Sequence, residues 1–241
     1  MTAAASTTGA KPDINTIAIG FLLFPNVTQL DLTGPYEVLS MMPGAVMHLI
    51  GTTLAPVTAS GGLTLQPTTT YDSCPPLDVV CVPGGTGMNA LLTDTKALAF
   101  LRRQAGQARY VTSVCTGALV LGAAGLLHGR RAATHWMSME FLEAFGAIPV
   151  AERVVVDGNV ITGGGVTAGI DFGLRMVAEL RGEAAARAIQ LAIEYDPAPP
   201  FDSGHPRSAD PKLVAAVLQR GAARQSARRA QVEKAAAALS D

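Results

Sequence analysis

Short, largely apolar runs alternate with longer stretches of helical periodicity along most of this chain. The runs are 16–24 (TIAIGFLLF), 77–82 (LDVVCV) and 110–114 (YVTSV), and none shows the strict polar alternation of a strand with one exposed face. Such runs are typical of parallel strands that are covered on both faces. Strands that alternate with helices predict an α/β fold, in which a mostly parallel sheet carries helices on both faces.

The remaining elements follow from periodicity and from turn residues. Asp157-Gly158 lies between two β-rich segments and predicts a short hairpin over 153–156 and 159–162. Proline at position 35 predicts the start of a helix there, and Thr167 is placed to cap another. The other expected strands are 46–50 and 131–134, and the expected helices are 35–42, 94–107, 116–127, 136–145, 167–180, 183–195 and 212–240.

Length and composition limit the domain organisation and the class of partner. With 241 residues and 49% hydrophobic residues, the chain suits one large domain, which we expect over 15–200, preceded by a disordered leader (1–14) and followed by a helical extension (201–241). A net charge of −1 gives no field that attracts nucleic acid, and no apolar run is long enough to predict a membrane span. Three cysteines at irregular spacing favour a reducing compartment, so we expect the cytoplasm.

Cys115 lies where a predicted strand meets a predicted helix of small residues. In Ser-Val-Cys-Thr-Gly-Ala (113–118) the strand ends, one nucleophilic side chain follows, and the helix begins at once. This is the pattern of a nucleophile elbow, and a helix N-terminus stabilises a thiolate over a thiol. The alternative is a small buried core cysteine, but the elbow favours Cys115 as a catalytic nucleophile.

Gly84 and Gly85 follow the predicted strand 77–82 directly. Because parallel strands end at the same edge of a sheet, we expect these glycines beside Cys115. Glycine leaves the backbone bare, so the N–H groups of Gly85 and Thr116 are candidates for a two-donor site that stabilises developing negative charge. The alternative is a simple turn after the strand.

Asp31 lies between two leucines, shortly after the first predicted strand. An apolar surrounding favours the neutral form of a carboxyl group, and a neighbouring thiolate would act in the same direction. Asp31 is therefore a candidate for general acid and base catalysis. The alternative is that it caps the helix expected to begin near Pro35.

His135 is the histidine best placed for a functional role. It follows the predicted strand 131–134, from which it could orient Cys115 as in a Cys–His pair, or it could pack beside Trp136. Cys81, in the middle of a strand, and Cys74, in a loop, are predicted to be structural. No spacing of potential ligands predicts a metal site.

Four segments together resemble the ThiJ/PfpI superfamily: FLLFPNVTQLDLTGPYEVL, LDVVCVPGGTG, VTSVCTGALVLGAAGLLHGRRAATHW and ITGGGVTAGIDFGL. The resemblance covers residues 15–200 and implies the flavodoxin-like sandwich shared with class I glutamine amidotransferases. The combination of Asp31 with Thr116 after the nucleophile is similar to the isocyanide hydratase branch. A similar segment also occurs in AraC-type regulators, but 201–241 reads as one helix with no helix-turn-helix pattern, so we do not expect DNA binding.

The resemblance implies a homodimeric enzyme that converts isocyanides to N-substituted formamides without a metal or an organic cofactor. Cys115 would form a thioimidate, Asp31 would act as acid and base, and Thr116 would position one of them. Two alternatives stay open at this point. One is a glyoxalase or deglycase that acts on α-oxoaldehydes, and the other is a non-catalytic protein that binds a ligand or senses oxidants through Cys115.

Overall fold

The structure is a computed structural model that describes residues 16–240, so the expected leader over 1–14 lies outside the described residues. Within them, none of the helices is both long and apolar enough to cross a bilayer. The strands are β1 (Ile17–Leu22), β2 (Ala45–Gly51), β3 (Val57–Thr58), β4 (Thr64–Leu65), β5 (Thr69–Thr70), β6 (Val79–Val82), β7 (Tyr110–Val114), β8 (Arg131–Ala132), β9 (Ile148–Pro149), β10 (Val154–Asp157) and β11 (Val160–Gly163).

The helices match the predicted segments with shifted boundaries, except for the short helix α2, which was not predicted. A 3-10 helix spans Trp136–Phe145, where the periodicity predicts a helix without specifying its type. The α-helices are α1 (Gln29–Ser40), α2 (Met88–Leu91), α3 (Thr95–Ala105), α4 (Gly117–Ala123), α5 (Ala168–Arg181), α6 (Glu183–Ala192) and α7 (Pro211–Ser240). Thr167 occupies the N-cap position of α5 as predicted, although its side chain makes no capping hydrogen bond.

Seven strands form one sheet in the order β10-β11-β7-β6-β1-β2-β5. Every neighbouring pair is parallel except β10 with β11, the hairpin predicted around Asp157-Gly158. Helices α1, α5 and α6 pack together in one layer, and α3 and α4 pack on β6 in the other. The predicted mostly parallel sheet with helices on both faces is thereby confirmed, and the carboxyl ends of β1, β6 and β7 lie side by side.

Helix α1 begins six residues earlier than predicted, at Gln29 rather than Pro35. Proline is a common helix-start signal, but Pro35 lies buried inside α1, where it removes one backbone hydrogen bond. Packing stabilises it there, because Gly169 and Gly173 of α5 face Pro35 and Val38 so closely that a Cβ on either glycine would come within 2.9 Å of them. The early start puts Asp31 in the first turn of α1.

Helix α7 crosses the outside of the second layer and packs on the 3-10 helix, α4 and α2. Its mostly exposed surface carries a few inward-facing side chains, among them Arg228, Val232 and Ala235, which are all buried. The predicted single helix over 212–240 is present, although the division of the chain at residue 200 remains a prediction.

Candidate active site

Cys115 lies at the sharp turn between β7 and α4, as predicted. Its φ angle is +56°, a left-handed conformation that is uncommon for residues other than glycine and is typical of strained functional turns. The helix can begin immediately because Gly117 has no Cβ, which would collide with the Val82 carbonyl. Only 5% of Cys115 is exposed, and that fraction faces a cavity at the carboxyl edge of the sheet.

Asp31 is brought to the same edge from α1 and is fully buried. Its Oδ2 atom accepts a hydrogen bond from the Gly84 N–H at 3.0 Å, so it does not cap α1. Among the described residues, Oδ1 has no conventional hydrogen-bond donor. Burial raises the pKa of Asp31 to about 7, against the opposing effects of Cys115 and the Gly84 N–H. Near neutral pH this carboxyl group can therefore both give up and accept a proton.

The two glycines after β6 hold Asp31 and Thr116 instead of presenting free donors. The Gly85 N–H donates to Thr116 Oγ1 at 3.2 Å, and the Gly84 N–H is engaged by Asp31. The Thr116 N–H interacts with the Cys115 sulfur and lowers its pKa. The expected two-donor site is thus not open in this structure, because a hydroxyl and a thiol already occupy its N–H groups.

Burial and three neighbouring groups determine whether the Cys115 thiol is ionised. Burial raises the pKa of the Cys115 thiol above its ordinary value, and repulsion by Asp31 raises it further, whereas the Thr116 N–H and Arg228 act in the opposite direction. The resting thiol is therefore protonated at neutral pH. This corrects the expectation of a preformed thiolate, since desolvation outweighs the dipole of the short helix α4.

Cys115 and Asp31 behave as a coupled pair. Asp31 disfavours ionisation of Cys115, because two negative charges would lie side by side in a buried site, whereas the hydrogen bond from the Cys115 thiol favours the carboxylate form of Asp31. With a single negative charge between them, the proton can reside on the sulfur or on the carboxylate. The pair can thus produce a thiolate and a carboxylic acid together by one internal proton transfer.

His135 lines the same cavity but is not arranged as a Cys–His pair. Its Nδ1 atom accepts from the Met137 N–H at 3.3 Å, and its ring centroid lies 5.9 Å from that of Trp136. Burial lowers the pKa of His135 to about 4, and Arg228 and Arg224 lower it as well, so the ring is neutral. Of the two predicted alternatives, the structure agrees with packing beside the tryptophan.

The cavity beside Cys115 has a volume of about 190 Å³. A larger cavity of about 570 Å³ lies next to it, and His135 and Val166 line both cavities. Three of its lining residues come from α7: Arg224, Gln225 and Arg228. Sequence reasoning missed them, since nothing in an Ala- and Arg-rich helix distinguishes the one arginine that faces inward.

Gly84→Ala is expected to lower activity about a hundredfold, because small displacements of reacting groups have effects of that order. The added Cβ would lie 2.7 Å from both Asp31 Oδ2 and Thr116 Oγ1 and would push the two side chains apart. The measurement is kcat/KM at pH 7 with an isocyanide, the substrate class that the resemblance implies. Gly106→Ala is the matched control, since a Cβ there meets its nearest neighbour at 3.6 Å and should leave the rate unchanged. Equal rates for the two variants would contradict this role of Gly84.

Comparisons with known proteins agree with this geometry. A model of the DJ-1/PfpI family matches residues 18–179. The chain is 57% identical over 223 residues to the isonitrile hydratase of Pseudomonas putida, which covers 92% of this chain and 98% of that protein. A ThiJ/PfpI family protein from Pseudomonas syringae superposes with a TM-score of 0.88 at 43% identity, over 95% of this chain and 97% of that one. The resemblance stated from the sequence is thereby confirmed.

A regulator is similar over a smaller part of its length. The HTH-type transcriptional regulator GbdR of Pseudomonas aeruginosa is 33% identical over 190 residues, which are 76% of this chain but only 52% of the regulator. The similarity to the hydratase, in contrast, extends over 92% of this chain and 98% of the hydratase. Similarity over nearly the full length of both chains is the more informative of the two relationships.

Proposed function

This chain belongs to the DJ-1/PfpI family, and from that premise we propose that it hydrates isocyanides to N-substituted formamides. The observation that carries the proposal is that the buried side chains of Cys115 and Asp31 interact directly at the edge of a small cavity. The high identity to an isonitrile hydratase supports the choice of substrate class.

The first step forms a carbon–sulfur bond. The thiol proton of Cys115 passes to Asp31, and the resulting thiolate attacks the terminal carbon of the isocyanide. Asp31, now a carboxylic acid, donates its proton to that same carbon, whose lone pair forms the new carbon–hydrogen bond. The product is a thioimidate, Cys115–S–CH=N–R, and Asp31 is again a carboxylate, so no proton is taken from solvent.

The second step adds water and releases the thiol. Asp31 accepts a proton from the attacking water, whose oxygen bonds to the thioimidate carbon, and passes this proton to the nitrogen. The tetrahedral intermediate then expels the Cys115 sulfur, and its hydroxyl proton is transferred through Asp31 to that sulfur as the carbonyl of the formamide forms. Because Asp31 acts first as acid and then as base, a carboxyl pKa of about 7 suits both halves of the reaction.

Thr116 and the two glycines serve as the positioning part of this mechanism. Gly84 fixes the orientation of the carboxyl group, and Gly85 fixes that of the Thr116 hydroxyl. The Thr116 N–H points to the sulfur, so it stabilises negative charge both as the thiolate forms and as it is expelled.

The proposal is tested by incubating the purified full chain with cyclohexyl isocyanide and measuring the formamide by mass spectrometry. Turnover that is lost in Cys115→Ala would support it. No formamide from several alkyl and aryl isocyanides, with well-folded protein, would rule it out. Parallel assays with methylglyoxal and with mild peroxide test the two alternatives left open by the sequence, a deglycase-type enzyme and an oxidant sensor.

We also infer a homodimer and a cytoplasmic location, the first from the family resemblance and the second from the chemistry. All three cysteines are free, and the mechanism requires a reduced Cys115. Sedimentation equilibrium would contradict the first inference if the protein remained monomeric at micromolar concentration, and cell fractionation tests the second.

A further inference from the structure

Arg228 is a buried cation contributed by α7, a helix that lies outside the residues matched by the family model. Only 4% of Arg228 is exposed. Its Nε donates to Asn89 Oδ1 at 3.1 Å and its Nη1 to Ser138 Oγ at 2.8 Å, and both acceptors are neutral. None of the ion pairs within residues 16–240 includes it.

A guanidinium group held in this way is unusual. Arginine cannot lose its proton in a protein, so burial without an anionic partner is unfavourable unless another charge appears nearby. Its neighbour Arg229 shows the ordinary arrangement, since it is half exposed and pairs with Glu140 at 2.8 Å. Arg228 therefore lacks the counter-ion that a structural role would normally supply.

The anion that fits Arg228 is the sulfur of Cys115. Both side chains line the cavity at the carboxyl edge of the sheet. Their influence is mutual: Arg228 lowers the pKa of Cys115, and Cys115 raises that of Arg228. The other charged or titratable groups around this cavity are Asp31, which disfavours the thiolate, the neutral His135, and Arg224, which is exposed.

We propose that Arg228 is a positioning residue that supplies the missing positive charge to the Cys115 thiolate, so that α7 completes the active site. It stabilises the negative charge that forms on the sulfur when the thiol proton passes to Asp31, and again when the sulfur is expelled. Asn89 and Ser138 hold the guanidinium group at the cavity wall without neutralising it. The catalytic role of Arg228 rests on the proposed function, but its effect on the ionisation of the Cys115 thiol does not.

The test measures alkylation of Cys115 by iodoacetamide as a function of pH, with the modified peptide quantified by mass spectrometry so that Cys74 and Cys81 do not interfere. Arg228→Gln in the full chain is expected to slow alkylation about tenfold at pH 8, because loss of one nearby charge moves a thiol titration by about that factor. Arg228→Lys keeps the charge and should stay within about threefold of the wild type. Arg229→Gln, the matched control, should show no change.

A second variant keeps the test decisive if Arg228→Gln does not fold. Gln225 also lines the cavity from α7, and its buried Oε1 atom has no hydrogen-bond partner among the described residues. Gln225→Glu is nearly isosteric and places a negative charge on the wall of the cavity that Cys115 and Arg228 line, so it should also slow alkylation. Alkylation profiles of Arg228→Gln or Gln225→Glu that superpose on the wild type would overturn the proposal. A shifted profile in protein that turns over no isocyanide would instead overturn only the proposed function.

Discussion

Cys115→Ala is expected to lower isocyanide turnover by at least about a thousandfold, which corresponds to about 4 kcal/mol of transition-state stabilisation. Both proposed steps make or break a bond to this sulfur, and alanine offers nothing in its place. The measurement is formamide production under substrate saturation. Cys115→Ser should be nearly as inactive, because a hydroxyl group is far less acidic than a thiol and Asp31 cannot deprotonate it efficiently.

Cys74→Ser is the matched control for this substitution, since Cys74 lies in a loop away from the cavity and should tolerate the change. Mass spectrometry of protein quenched during turnover adds a direct readout. The wild type should carry an adduct of one isocyanide mass on the peptide that contains Cys115. Retention of more than a tenth of the rate in Cys115→Ala would rule out covalent catalysis at this residue.

Asp31→Asn is expected to lower kcat/KM between about a hundredfold and ten-thousandfold, the range that general acid–base groups contribute. Asparagine can still accept the Gly84 N–H but cannot carry a proton between sulfur and substrate. In the wild type the rate should rise with pH through about 7, as Asp31 ionises and the pair reaches the single negative charge it needs. The pH–rate profile of Asp31→Asn should lack this rise. Activity within tenfold of the wild type would contradict the role of Asp31.

The same substitution has an expected effect on stability that separates loss of function from loss of fold. The folded pKa of Asp31 is about 7 and its ordinary value is 3.8, so the unfolded chain releases this proton first. The contribution of Asp31 to the free energy of unfolding therefore falls as pH rises from about 4 to 7, by up to about 4 kcal/mol. Asp31→Asn removes this dependence. Urea unfolding should show equal stabilities near pH 4 and a more stable variant at pH 8, and the reverse order would contradict the assigned ionisation.

The parts of the site that could be predicted from the sequence are local ones. At Cys115 the strand, the cysteine and the small-residue helix follow one another directly, so the turn between them is encoded in a few adjacent residues. Asp31 and Gly84 could be placed with it because parallel strands end at a common edge. The partner atoms of each N–H could not be assigned, since they depend on how α1 lies against the turn after β6.

The parts that could not be predicted depend on distant packing. The protonated state of Cys115 follows from its burial, which no neighbouring residue in the sequence reveals. Pro35 indicates a helix start by its local preference, yet contact with α5 keeps it inside α1. Arg228 lies far from Cys115 along the chain and resembles the other arginines of α7, so only the folded structure distinguishes it.

The close contact between α1 and α5 also makes the position of Asp31, the proposed acid, sensitive to residues outside the cavity. Gly169 and Gly173 set how near the two helices lie, and Asp31 is carried on the first turn of α1. A methyl group added at either glycine would come within 2.9 Å of Pro35 or Val38, and we expect α1 and the carboxyl group it carries to be displaced. Libraries intended to broaden substrate range should therefore keep this helix pair constant, because variation there is expected to impair the proposed proton transfer for every isocyanide alike.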